Sequence, residues 1–230
     1  MWEKTSIRYE MTSGDALESL ISPSVTEVDL SRRDIVNVDL TPLSRFDNLA
    51  VLDLSHNHLE SIDLRPLVQC SKLRVINLSD NRLHSVDLSP LAGIQRLETI
   101  DISSNSLQSI SLAPFVEHSQ LQRFYASKNK LFQIDLGALS ECAVLQFLIL
   151  SDNELEQLDL TPLWHCSELT YLMLSRNRLR ELDVSALFQL YNLEVFTVDE
   201  STILYASKKL HGAEAIPLPV AEKMHRIEWR

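Results

Sequence analysis

Asparagine recurs at positions 57, 81, 105, 129, 153 and 177, each 24 residues after the one before, with no insertion. The surrounding residues keep one frame. Leu49-x-x-Leu52-x-Leu54-x-x-Asn57-x-Leu59 is followed by Leu73-x-x-Ile76-x-Leu78-x-x-Asn81-x-Leu83. The frame continues at Leu97 to Leu107, Leu121 to Leu131, Leu145 to Leu155 and Leu169 to Leu179. A unit this short cannot bury its apolar face alone, so such a chain has to stack unit on unit. Positions 1, 4 and 6 of each unit are apolar and alternate inward along a short strand. Stacked strands of this kind form a parallel sheet. An asparagine amide both donates and accepts, and is expected to satisfy turn backbone in its own unit and the next.

Two imperfect units flank the six. Val25-x-x-Val28-x-Leu30 has Arg33 in the asparagine slot, and Leu193-x-x-Phe196-x-Val198 has Ser201 there. The second half of each unit reads like Ile62-Asp63-Leu64-Arg65-Pro66-Leu67. Thr41-Pro42, Ser89-Pro90 and Thr161-Pro162 place a hydroxyl before a proline, which predicts an N-cap followed by a short helix. The pattern resembles the leucine-rich-repeat family over roughly residues 25 to 203. The I-D-L-x-P-L half departs from the extracellular consensus, so the resemblance is to an intracellular type. It implies an α/β solenoid, a horseshoe of about eight repeats, with a concave parallel β-sheet. Short helices or 3-10 turns would lie on the convex side, and the asparagines would form a structural ladder.

Composition narrows the function. Against 21 Lys+Arg stand 32 Asp+Glu, a formal charge of −11 over 230 residues. The phosphate backbone of a nucleic acid repels such a surface, and an anionic membrane does the same. With 4 glycines there is little material for phosphate-cradling loops, and 45% hydrophobic residues are too many for an acidic tail. No run of about 18 apolar residues occurs. Met1-Trp2-Glu3-Lys4-Thr5 lacks the basic and apolar regions of a signal peptide. Three cysteines without a CxxC pair suit a reduced, cytoplasmic setting.

Several residues could be mistaken for chemistry. Cys70, Cys142 and Cys166 share a column with Phe46, Ile94, His118 and Leu190, so they read as small core hydrophobes. Parallel side-chain directions oppose a Cys142–Cys166 disulfide. Asp53, Ser55 and His56 belong to the repeat or to its variable surface, without the pocket a nucleophile needs. His56 and His58 lack converging metal ligands. Asp39, Asp63, Asp87, Asp135, Asp159 and Asp183 form a column, interrupted by Ser111, that is expected to bond local amides near helix starts. No catalytic residue, metal site or cofactor is expected.

Function should sit where the repeat does not dictate the residue. Positions 3 and 5 point out of the concave sheet. Position 5 runs Asp29, Asp53, Asn77, Asp101, then Tyr125, Ile149, Met173, Thr197. Position 3 runs Glu27, Val51, Val75, Thr99, then Arg123, Phe147, Tyr171, Val195. Arg123, Tyr125, Phe147, Ile149, Tyr171 and Met173 are therefore expected to form one exposed patch of several hundred Å² for a protein partner. The competing explanation is strand propensity, or cover by another part of the chain. The acidic column of Asp29, Asp53 and Asp101, with Glu27, is suited to steering a basic partner. Lys128, Asp152 and Arg176 form one row beside the asparagines, and Lys130, Glu154 and Arg178 another, readable as surface ion pairs.

The ends leave the register. Residues 1–24 read as an N-terminal cap, with a short amphipathic helix over Asp15 to Ile21 capped by Ser13. Residues 204–230 read as a C-terminal cap folding over Trp164 and Phe188. The whole reads as a monomeric, non-enzymatic protein-interaction module binding its partner through repeats five to seven. The alternative is a regulatory subunit of a phosphatase, GTPase or ubiquitin-pathway enzyme.

Overall fold

The computed structural model describes residues 5–116, 118–213 and 215–230. Residues 1–4 of the expected N-terminal cap, and the leader reading made on them, lie outside the described residues. Strands β1 (Thr5–Met11) and β2 (Ala16–Ile21) form an antiparallel hairpin, turning at Gly14 with φ +86°. After β3 (Glu27–Asp29), strand β4 (Ile35–Val38) pairs with the other edge of β1. One strand per unit follows: β5 (Val51–Asp53), β6 (Val75–Asn77), β7 (Thr99–Asp101), β8 (Arg123–Tyr125), β9 (Phe147–Ile149) and β10 (Tyr171–Met173). The C-terminal end holds β11 (Glu181–Asp183), β12 (Val195–Thr197), β13 (Ile203–Ala206) and β14 (Ile227–Trp229).

Among the described residues, β3, β5 to β10 and β12 make an eight-stranded parallel sheet in chain order. Its register sets equivalent repeat positions side by side, as with Leu52 beside Ile76 and Leu148 beside Leu172. The central residue of each strand points inward and is fully buried from Leu52 through Leu172. Burial of a leucine-sized side chain is worth about 1.5–3 kcal/mol, and the repetition of this column makes one continuous core.

The ladder runs in the opposite sense to the sequence expectation. Asn129 Nδ2 donates to Ala126 O in its own unit at 3.2 Å and to Ile102 O in the preceding unit at 3.0 Å. Its Oδ1 accepts from Leu107 N, also in the preceding unit, at 3.0 Å. The main chain supplies the forward link, Asn129 N donating to Asp152 O at 3.1 Å. The side chain thus reaches back while the backbone reaches forward. The residue before each asparagine, from His56 to Arg176, takes a φ between 52° and 59°. Non-glycine residues accept this left-handed turn, which is how the chain manages with 4 glycines.

The convex side carries 3-10 turns, such as Thr41–Arg45, Arg65–Gln69 and Thr161–His165. Their caps differ from the expected Ser/Thr hydroxyls. Thr41, Ser89 and Thr161 are the first residues of their turns, and the N-cap leucines before them have no side-chain bond. The aspartate column does the capping. Asp39, Asp87, Asp135, Asp159 and Asp183 each accept from the amide two residues on, at 2.8–2.9 Å, and Asp63 does so at 3.0 Å. The Ser89 amide holds the Asp87 carboxyl below the usual carboxylate range. A charged acceptor makes the stronger bond here.

Cys70, Cys142 and Cys166 are buried thiols in the convex column. Each Sγ donates to a carbonyl of the preceding unit, as Cys142 does to His118 O at 3.2 Å. Burial pushes Cys70 and Cys142 up to about 11 and Cys166 to about 12, which keeps them protonated and inert.

At the N-terminus the expected helix over Asp15 to Ile21 is instead strand β2. Ser13, its expected cap, bonds Asp15 within the hairpin turn. The segment is too short to hold a helix without burying an apolar stripe. Leu17 and Leu20 are in fact exposed, while β1 supplies backbone partners over its full length. Arg33, in the first asparagine slot, ties the hairpin on by donating to Ser19 Oγ at 3.0 Å and to Asp29 O at 3.2 Å.

At the other end β13 pairs parallel with β11, and β14 with β13. Helix α1 (Leu218–Ala221) packs by β12. Trp229 meets Phe188 edge-on at 6.0 Å, and Phe188 is buried. Trp164 is not covered as expected, being 39% exposed. In the last ladder turn, the Asp199 carboxylate accepts from Arg176 N and Asn177 N at 2.7 and 2.9 Å, replacing carbonyls of a following repeat. Arg226 locks that turn by donating to Asp199 O, Glu200 O and Thr202 O.

Candidate functional site

Parallel pairing without offset brings the six expected partner-binding residues together. Arg123, Phe147 and Tyr171 are direct neighbours across β8, β9 and β10, and so are Tyr125, Ile149 and Met173. Phe147 and Tyr171 stack, with centroids 4.8 Å apart and planes 8° from parallel. Tyr125 meets Phe147 at 6.3 Å and 45°. The Arg123 guanidinium lies 5.6 Å from the centre of the Phe147 ring. Such contacts favour these ring orientations.

The patch is less open than expected. All six side chains are half-buried, because strands about 4.8 Å apart make each large side chain cover the next. More exposed large apolar residues, such as Phe132, Trp164 and Tyr191, lie elsewhere. Burial pushes the Tyr125 phenol up, despite the opposing pull of Arg123.

The N-terminal half of the sheet has different chemistry. Oδ1 of Asp29, Asp53, Asn77 and Asp101 accepts from the serine amide two residues on, at 2.8–3.0 Å. These turns explain the Asx residues at position 5, a role the D-x-S spacing could have disclosed. Asp29 is held low, first by the Ser31 amide. Asp101 behaves oppositely, pushed up because burial outweighs its bonds to Ser103. It stands at the boundary, in register with Tyr125.

The other candidates disperse. His56 takes Arg32 Nη2 at 3.0 Å and faces Asp80 at 3.6 Å, while Ser55 is buried and bonds through its amide to Asp53. No triad forms there. His58 turns to Asp34 at 3.4 Å, apart from His56. Among the described residues no group of three or more His, Cys, Asp or Glu could hold a metal. Asp152 pairs with Arg176 at 2.6 Å and Glu154 with Arg178 at 3.1 Å, as surface pairs, each worth about 0–1 kcal/mol. No helix among the described residues is long and apolar enough to cross a membrane.

Similar proteins share this architecture. A leucine-rich-repeat protein of Leptospira interrogans superposes with a TM-score of 0.68 at 24% identity, over 80% of this chain and 45% of that one. The functional domain of InlJ from Listeria monocytogenes, which includes a cysteine ladder, gives 0.51 at 26% identity, over 80% and 39%. Internalin C2 from the same species gives 0.52 at 25% identity, over 81% and 86%. The chain spans less than half the length of the first two. No curated protein sequence matches it. The sequence model described as "Leucine rich repeat" matches residues 23–83, 71–131 and 95–155, more than half of the chain. With its unbroken asparagine ladder and parallel sheet, the chain belongs to the leucine-rich-repeat family.

Proposed function

We propose that this chain is a non-enzymatic protein-interaction module whose binding surface is the concave face of β8 to β10. Leucine-rich-repeat proteins generally mediate protein–protein interaction, and the site-level reading rests on one observation. Phe147, Tyr171, Tyr125 and the Arg123 guanidinium form a continuous set of ring and cation contacts on three adjacent strands. Aromatic residues and arginine are what interface centres enrich, and rings that already favour one arrangement lose less entropy on binding. Residues 25–203 would be the solenoid that presents this face, with 1–24 and 204–230 closing its ends. If the partner is an enzyme, the module is its regulatory subunit.

The test is capture from a lysate of the source organism. A Tyr125→Ala/Phe147→Ala/Tyr171→Ala variant is expected to keep the wild-type circular dichroism and lose the captured partner. Binding at interface centres falls by about 2 kcal/mol or more for each such truncation. Equal capture by the folded variant would refute the concave-face reading.

A further inference from the structure

We propose that the partner presents a basic segment to this face, with lysine or arginine side chains over β3 to β7 and an apolar or aromatic anchor on β8 to β10. This rests on the concave-face reading. Turn chemistry needs an Asx side chain at position 5, and a charged one bonds more strongly, but the turn does not require the charge. Asn77 accepts from its serine amide at 3.0 Å, in the geometry that Asp29, Asp53 and Asp101 use at 2.8–2.9 Å. An amide thus serves the fold at this position. Three of the four are nonetheless aspartates, and Asp29 and Asp53 are direct neighbours in register. Like charges placed so destabilise a sheet.

The chain answers this charge only in part: Arg33 lies by Asp29, donating to its carbonyl oxygen at 3.2 Å and adding to the Ser31 amide in holding its carboxyl low, and the Asn77 amide donates to Asp53 Oδ2 at 3.2 Å. Positions 3 and 5 of β3 to β7 hold Glu27, Asp29, Asp53 and Asp101, and no lysine or arginine. Arg74, at the strand edge, is engaged twice by Glu98, at 2.7 and 2.8 Å. Arg123 lies over Phe147. The Asp101 carboxyl is pushed up by burial, and the negative charges of Asp80 and Asp53 add to it. A partner that covers the face strips water from these carboxylates, which costs free energy unless it brings cations. At about 4.8 Å per strand, Asp101 and Asp53 lie two and four strands from Phe147, so the bound segment holds its basic residues about 10–19 Å from its anchor.

Selection of a displayed random dodecapeptide library on the full chain tests this, followed by anisotropy titration of the enriched peptides. The enriched peptides are expected to carry lysine or arginine together with an aromatic or aliphatic residue. Their affinity should fall at least tenfold as ionic strength rises from about 0.05 to about 0.3 M. It should fall similarly in an Asp29→Asn/Asp53→Asn/Asp101→Asn variant, which keeps the turns as Asn77 does, and in the triple alanine variant. Composition and salt dependence are read on the wild-type chain and so do not depend on either variant folding. Neutral or acidic peptides lost only from the alanine variant would overturn the basic partner and leave the concave-face reading standing. Basic peptides lost only from the asparagine variant would overturn the aromatic anchor. Peptides that neither variant affects, or a selection that enriches none, would overturn both.

Discussion

Two demands meet on the Asp101 carboxylate. Its Oδ1 accepts from the amide and the hydroxyl of Ser103, which favours the charged form. Burial opposes that and prevails, leaving the folded-state pKa above the ordinary carboxylate value. A raised acid pKa means that the fold prefers the protonated group. Its stabilising contribution is therefore complete below the unfolded pKa and is lost as pH rises through the folded one. Asp29 and Asp87, lowered chiefly by backbone amides, carry the opposite sign: their contribution is present at neutral pH and lost in acid. Asp101→Asn is accordingly expected to raise the melting temperature at pH 7, and the gain should vanish below about pH 4. Thermal unfolding of the two proteins across that range decides it, and an unchanged melting temperature at neutral pH would contradict the burial account. The composition of this face was legible in the sequence, since positions 3 and 5 are fixed by the strand period. The half-burial of its residues was not, because it depends on neighbours 24 residues away filling the space between strands.

Elements were legible to the extent that they repeat. Each concave strand and convex turn within the six regular units follows from one local pattern read six times. The ends have only one reading each, and there local propensity misled. Ala16 to Ile21 contains good helix formers, yet β1, with Ile7 and Tyr9 buried on one face, offered it a ladder of backbone bonds. The alternation of Ile7, Tyr9 and Met11 before Gly14 was the overlooked hairpin signal. The C-terminal segment works through a few long contacts. Trp229 covers Phe188 and also meets His211 at 4.9 Å. Trp229→Ala is expected to cost about 1–3 kcal/mol, since a large aromatic leaves a partly buried site. Trp164→Ala should cost clearly less, because that ring is 39% exposed. Denaturant titration of both variants checks the contrast, and equal losses would argue against β14 as the element that closes the core.

At the scale of the molecule, stability in such a stack is a sum over units and nearest-neighbour interfaces. A lesion in the middle should then divide the chain rather than weaken it evenly. Asn129 is suited to this test, because its side chain makes bonds to Ile102 O, Ala126 O, Ser127 O and Leu107 N across the junction of β7 and β8. Asn129→Ala strands those buried groups, at a cost of about 2–4 kcal/mol. Trp164 and Trp229 both follow position 129. In a Trp2→Phe background, their fluorescence therefore reports only the C-terminal half, while circular dichroism reports both halves. The two probes are expected to give one urea midpoint in that background. With Asn129→Ala added, the midpoints should separate, because the weakened junction lets one half unfold while the other persists. A single shared midpoint in the variant would mean that coupling reaches beyond adjacent repeats, and that the concave face of β8 to β10 cannot be treated as energetically independent of the acidic strands before it.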